Sequence, residues 1–190
     1  MKVGILGGTF NPIHVGHLLI AQDAMEQAGL DRVKFIPAAT PPHKTPEHLV
    51  SAAHRVRMIQ LAIAGNPRFE VDDIEIQRGG RSYSVETLTE LKRRQPRARF
   101  YFIIGSDSLR ELHLWREPRR LIKLCRFIVL ARPGFPPVQR RLAVRPLLMT
   151  GHVCEVASRE IRTRVAHGRP FRYLLPDAVH NYIRKHKLYQ

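Results

Sequence analysis

Residues 2–37, KVGILGGTFNPIHVGHLLIAQDAMEQAGLDRVKFIP, decide the class of fold. KVGIL (2–6) is a short apolar strand, and a loop rich in Gly, Asn and Pro follows it. Over residues 16–28, Leu18, Leu19, Ala21, Met25 and Ala28 recur at helical spacing, and Gly29 closes the helix. VKFIP (33–37) is a second strand.

The same alternation runs on to the C-terminus. After the proline-rich loop ATPPHKTPEH (39–48), a helix starts at Ser51 with Val56, Ile59, Leu61 and Ile63 on its apolar side. FEVDDIEI (69–76) reads as a strand with a break at the two aspartates, and Ser84 can cap a helix running to about Arg94, ended by Pro96. FYFII (100–104) and FIVLA (127–131) are continuous apolar runs of the kind found in parallel strands buried on both faces. Two short helices lie between them, around 107–113 and 117–124. A weak strand near 147–156, a helix from Ser158 and a last helix from about Asp177, with Val179, Tyr182 and Ile183 inward, complete the order. With no repeat and no linker, this predicts one α/β domain over residues 1–190, Rossmann-like, with a mainly parallel sheet flanked by helices. Such sheets bind ligands outside the carboxyl ends of their strands, so the loops after residues 6, 37, 104 and 131 are the places to search.

A chain of 190 residues can bury one good core. No apolar run approaches the ~20 residues of a membrane span, and MKVGILGGTF lacks the pattern of a secretory signal. Cys125 and Cys154 stand far apart with no Cys/His cluster, which favours free thiols and a cytoplasmic location. Charge is uneven: residues 1–95 carry 12 Lys and Arg against 10 Asp and Glu, residues 96–190 carry 20 against 6. A positive field attracts nucleotides, nucleic acids or acidic membranes, but an Arg-rich solvated surface has the same composition, so charge names no partner.

Chemistry concentrates in the first loop, from Gly7 to His17. Its glycines match neither GxGxxG nor GxxxxGK[ST]. It offers instead two histidines three residues apart, straddling Gly16, at a helix start. The first helical turn has unpaired N–H groups and the positive end of the dipole, which favour an anion. His14 and His17 could aim both imidazoles at one phosphate, with Gly16 letting the backbone approach. A zinc pair is the alternative, but HxxH without a third ligand is poor metal spacing. Two unrelated surface histidines would leave Gly7, Gly8 and Gly16 without a reason.

GTFNPIHVGH (8–17) resembles the HxGH signature of nucleotidyltransferases, which move a nucleoside monophosphate from a triphosphate to a phosphate acceptor. Within that superfamily the chain resembles bacterial nicotinate-nucleotide adenylyltransferases nearly end to end. The likeness includes PPHK (41–44), RGGRSYSVETL (78–88), FIIGSDSL (102–109) with Trp115 beyond it, RPG (132–134) and YLLPDAVHNYIRKHKLY (173–189). It implies that Gly8, Thr9, Phe10, His14, His17, Gly105, Asp107, Ser158 and Arg162 bind ATP, and that Lys44, Ser84 and Trp115 bind nicotinate mononucleotide. His14, His17, Lys44 and Arg162 become the catalytic groups, stabilising charge as the mononucleotide phosphate attacks the α-phosphorus and pyrophosphate leaves. Mg²⁺ would bridge phosphates and solvent with few protein ligands.

Each of these residues also has an ordinary reading. Lys44 is a loop lysine, though two prolines stiffen its approach; Ser106 or Asp107 can cap a helix; a lone Trp115 packs a core or an interface. Ser84 stands where the resembled family usually has Thr, and keeps the hydroxyl. The clearest departure is VASREIR (156–162), where the family usually has Ser-Ser-Thr-x-Ile-Arg: Ser158 and Arg162 match, whereas Ala157 and Arg159 replace hydroxyl residues. One serine can still cap the helix and meet a phosphate oxygen, and Arg162 lies one turn later on the same face. Rival acceptors are nicotinamide mononucleotide and phosphopantetheine. SYS (82–84), Trp115 and YLLP (173–176) favour the pyridine nucleotide, and the acid over the amide. A nucleic-acid-binding role would account for the basic second half but leaves the Gly/His loop without a purpose, and no RNP-like or helix-turn-helix signature is present.

Overall fold

The computed structural model describes residues 1–40, 49–131, 143–152 and 154–190. Lys44, with the rest of PPHK, and RPG (132–134) lie outside the described residues.

Each strand that reads as an unbroken apolar run serves two cores at once. In β1 (Lys2–Gly8), Val3 and Ile5 join one buried cluster and Leu6 the other. In β4 (Arg99–Gly105), Phe100, Phe102 and Ile104 face the first, while Tyr101 and Ile103 face the second. β5 (Arg126–Leu130) divides the same way, Phe127 and Val129 against Ile128 and Leu130. This period of two, apolar on both sides, is what a sheet covered on both faces requires.

With β2 (Arg32–Pro37), β3 (Phe69–Val71) and β6 (Leu147–Met149), the described residues form one parallel sheet in the order β3-β2-β1-β4-β5-β6. Gly8 pairs with Pro37 and Ile5 with Phe102, so the order reverses direction beside β1. On one face lie α1 (Val15–Gln27), α2 (Ala52–Ile63), α7 (Ser158–Ala166) and α8 (Asp177–Lys185), contributing Ala24, Ile59, Ile161 and Ile183 to the core. On the other lie α3 (Ile74–Arg78), α4 (Ser84–Arg94), α5 (Ser106–Glu111) and α6 (Pro118–Leu124), with Ile74, Leu88, Leu109 and Leu121 buried. A fully buried side chain of this kind contributes roughly 1.5–3 kcal/mol. The expected α/β class and mainly parallel sheet are therefore what the chain forms.

α1 ends as its sequence requires. Gly29 takes φ +57°, its N–H donates to Glu26 C=O, and Leu30 N–H donates back to Met25 C=O. This double bond closes a helix around a left-handed residue that glycine adopts without a Cβ clash.

Three local expectations need correction and a fourth is extended. The strand from Phe69 does break at the aspartates, but beyond the break the chain is helix and not strand: Asp72 turns its carboxylate to the Ile74 N–H and to Lys34 Nζ (2.8 Å), and α3 begins. Ser84 is the first residue of α4, not its cap; Tyr83 holds the cap position, and its carbonyl accepts from Glu86 and Thr87. The strand expected over 147–156 stops at Met149, because the chain turns so that His152 N–H reaches the buried Asp23 carboxylate at 2.9 Å. On α2 the expected Ile59 and Ile63 are buried and Leu61 packs against the same core, but Arg55 and Met58 are buried there too, and Val56 is only half-buried.

Cys125 and Cys154 are both free thiols. Among the described residues no helix is long and apolar enough to cross a membrane.

Candidate active site

A cleft of about 650 Å³ opens at the carboxyl ends of the central strands, bounded by Gly8, Ile36, Gly105 and Leu130. It straddles the β1–β4 boundary where the strand order reverses, the place where open α/β sheets leave a crevice. Thr9 and His17, from the β1–α1 loop and α1, line it together with Ser84 of α4 and with Trp115 and Arg116, which lie between α5 and α6.

The loop after β1 sets the histidine geometry. His14 occupies the cap position of α1 in an extended conformation, φ −146° and ψ 173°. Its backbone N–H donates to His17 Nδ1 at 3.2 Å, and the His17 N–H donates to His14 C=O at 3.0 Å. The two rings lie 3.8 Å apart, tilted by 36°. A backbone N–H can only donate, so Nδ1 of His17 is an acceptor, and the proton of the neutral ring resides on Nε2. His17 lines the cleft.

His14 differs. It is 7% exposed, its Nδ1 has no hydrogen-bond partner, and burial lowers its pKa to about 4. At neutral pH it is uncharged here, so it is not one of the positive groups until an anion beside it favours the protonated form. Gly16 makes room for this ring: a Cβ at residue 16 would stand 3.1 Å from His14 Nδ1. The glycine thus serves histidine packing as well as any backbone approach.

Loop 9–12 is braced from distant segments. Arg55, 1% exposed, donates to Thr9 C=O (3.0 Å) and Ala38 C=O (2.6 Å). Arg162 Nη1 donates to Asn11 C=O at 2.9 Å, and Ser158 Oγ to Pro12 C=O at 2.8 Å. Ser158 therefore does not cap α7; Ala157 holds that position, and the one hydroxyl proton goes to the loop. Phosphate oxygens accept only, so Ser158 can donate to one only by releasing Pro12. Arg162 keeps guanidinium donors beyond the one bonded to Asn11. Arg159 is exposed and Arg162 half-buried.

Of the residues singled out from sequence, Gly8, Thr9, His17, Ser84, Gly105 and Trp115 line this one cleft. His14, Ser158 and Arg162 stand in the supporting layer of the first loop, and Asp107 lies in the first turn of α5. Phe10 turns inward: with φ +49° its ring is buried, edge-on to His17 at 5.0 Å and tilted on Phe35 at 6.0 Å. A nucleotide could meet only its backbone. Trp115 is half-buried, its ring edge-on to Phe102 at 6.0 Å.

Sequence reading missed several residues. Arg55 had a signal, a charge on the same helical face as Met58 and Ile59, which a buried role explains. Arg116 lines the cleft, donates to Glu86 at 2.7 Å and lies 4.6 Å over the Tyr83 ring. Thr87, buried beside it, donates to Glu75 at 2.6 Å. Among the described residues no group of three or more His, Cys, Asp or Glu could hold a metal ion. An ion carried by phosphate oxygens and water would need no such group.

A family model described as cytidylyltransferase-like matches residues 5–164. A relative from Citrifermentans bemidjiense, named "Probable nicotinate-nucleotide adenylyltransferase", is 45% identical over 214 aligned positions, covering 100% of this chain and 98% of its own. One of the same name from Lactiplantibacillus plantarum is 42% identical, covering 100% and 88%. The solved structure of Plasmodium falciparum nicotinic acid mononucleotide adenylyltransferase complexed with NaAD shares the fold, with a TM-score of 0.82 at 19% identity over 99% of this chain and 97% of that one. Matching almost from end to end, the chain belongs to the nicotinate-nucleotide adenylyltransferases of the cytidylyltransferase-like family.

Proposed function

We propose that the cleft joins nicotinate mononucleotide to the AMP part of ATP, releasing pyrophosphate and giving nicotinate adenine dinucleotide, a step of NAD biosynthesis. The carrying observation is one cleft lined by two chemically different sets of residues: the Gly8–Thr9 turn with His17, and the aromatic Trp115 with the Ser84 hydroxyl. A phosphate junction suits the first set and a pyridine ring the second. ATP lies over Gly8, Thr9 and the backbone of Phe10, its sugar toward Gly105 and Asp107. The 5′-phosphate of the mononucleotide attacks the α-phosphorus in line; one P–O bond forms, the α–β bridging bond breaks, and the electron pair leaves with pyrophosphate. No protein nucleophile is required, because the acceptor oxygen is already anionic.

His17 Nε2–H donates to the α-phosphate as charge accumulates there, and Arg162 and Lys44 offset the remaining charge. His14, uncharged when the site is empty, gains a proton's affinity as the phosphates arrive. Mg²⁺ arriving on the triphosphate would neutralise phosphate charge, held by phosphate oxygens and water with few protein ligands. Residues 1–190 act as one nucleotidyltransferase domain, in the cytoplasm, where ATP is supplied. ATP labelled on its α-phosphate tests the bond that breaks. The label must appear in the dinucleotide and a γ-label in pyrophosphate; transfer of the γ-label to the mononucleotide would contradict the reading.

A further inference from the structure

The last turn of the chain reaches the loop that carries the histidines. After α8, Lys187 and Tyr189 both take positive φ, 50° and 65°, which side-chain-bearing residues seldom adopt. Between them Leu188 is buried in the core, and its N–H donates to Ile183 C=O at 3.1 Å. The result of this unfavourable backbone is the position of one hydroxyl: Tyr189 Oη donates to Asn11 Oδ1 at 2.8 Å, across 178 residues of sequence. Strain retained in a structure commonly marks a position that serves function.

Asn11 is buried, 5% exposed. Its Oδ1 also accepts from the Val50 N–H at 3.3 Å, and its backbone carbonyl takes the Arg162 guanidinium. One residue therefore joins the C-terminus, the entry to α2 and the helix start at α7, three positions before His14. The phenol is a lasting donor, because burial pushes its pKa up against the pull of Arg162 and Arg55.

We propose that Tyr189 is a positioning residue for phosphoryl-group chemistry at the first loop, acting through Asn11 to hold His14 and His17 in register. The inference rests on the catalytic reading given above. Loop 9–14 carries no regular hydrogen-bond ladder of its own between β1 and α1, so its shape depends on such outside bonds. A misplacement of an ångström at the reacting groups costs turnover far more than binding.

Tyr189→Phe removes the hydroxyl and keeps the ring. It should lower kcat roughly five- to tenfold while the KM for nicotinate mononucleotide stays within about twofold, in protein that remains folded at the assay temperature. In an Asn11→Ala background the same change should have no further effect, since the hydroxyl acts through that side chain. A kcat equal to that of the parent, or the same fractional loss in both backgrounds, overturns the proposal. The imidazole nitrogen resonances of His14 and His17 give a readout independent of turnover. They should move in Tyr189→Phe, and unmoved resonances contradict the proposal too. If the parent protein makes no dinucleotide, the catalytic reading fails, and the resonances alone still decide whether Tyr189 positions the histidines.

Discussion

The backbone N–H of His14 donates to Nδ1 of His17, three residues further on, and this bond decides which nitrogen of His17 can act. With Nδ1 accepting, the proton of the neutral ring sits on Nε2, so the ring of this cleft-lining residue needs no tautomer change to act as a donor when charge develops. His17→Ala should lower kcat roughly a hundredfold or more while ATP affinity changes less, as for a donor used in the transition state. Single-turnover rates and ATP binding measured on the folded variant check this; near-normal kcat removes His17 from the mechanism.

Trp115, the single tryptophan, has its ring braced edge-on by Phe102 at 6.0 Å and forms part of the cleft wall. Nicotinate mononucleotide should perturb its fluorescence, and ATP alone should perturb it less. Trp115→Ala should raise the KM for the mononucleotide about tenfold, the scale of one ring–base stack. An unchanged KM makes Trp115 a packing residue.

At the start of α7, Arg162 is half-buried and already bonded to the first loop, whereas Arg159 is exposed. Arg162→Ala should raise the KM for MgATP and lower kcat, each by roughly tenfold, because a charge-assisted contact and a loop brace are lost together. Arg159→Ala should stay within about twofold, as exposed charges do. Steady-state kinetics with varied MgATP decide it, and the reverse ranking places the phosphate contact on Arg159.

The sheet was legible because its strands are unbroken apolar runs, and residues 100–104 and 127–131 have no other good home. The helix after Asp73 was not: IEIQR is too short for its period to be told from a strand, and only the turn made by the Asp72 carboxylate separates them. Much of the site was legible for a different reason, namely that glycines and histidines at a helix start have little purpose in packing alone. Gly16 was found on that ground, although its nearest duty is to clear the His14 ring. What stayed hidden was the support. The Ser158 hydroxyl looks like a cap in sequence and donates to Pro12 in space, and nothing local to Tyr189 points to Asn11. Long-range hydrogen bonds leave no periodic trace.

The pH dependence of stability isolates His14. Burial lowers its pKa from 6.5 to about 4 in the folded protein. Between those values the unfolded chain binds a proton that the folded one excludes, so stability rises with pH there. The contribution is whole above the unfolded pKa and is lost as pH falls toward the folded one. Its size is about 3 kcal/mol. Denaturant unfolding of the parent and of His14→Gln, measured from pH 7 to pH 4, should show the parent losing more stability over this window. Parallel curves would mean that His14 binds its proton as readily in the folded chain as in the unfolded one, contradicting the lowered pKa.

The most direct measurement compares nicotinate mononucleotide with nicotinamide mononucleotide as acceptors, by pyrophosphate release at matched MgATP. The expected result is release with both reagents present and with neither alone, with the higher kcat/KM for the acid. Absence of release with the acid, or a higher kcat/KM for the amide, would contradict the assignment of the cleft.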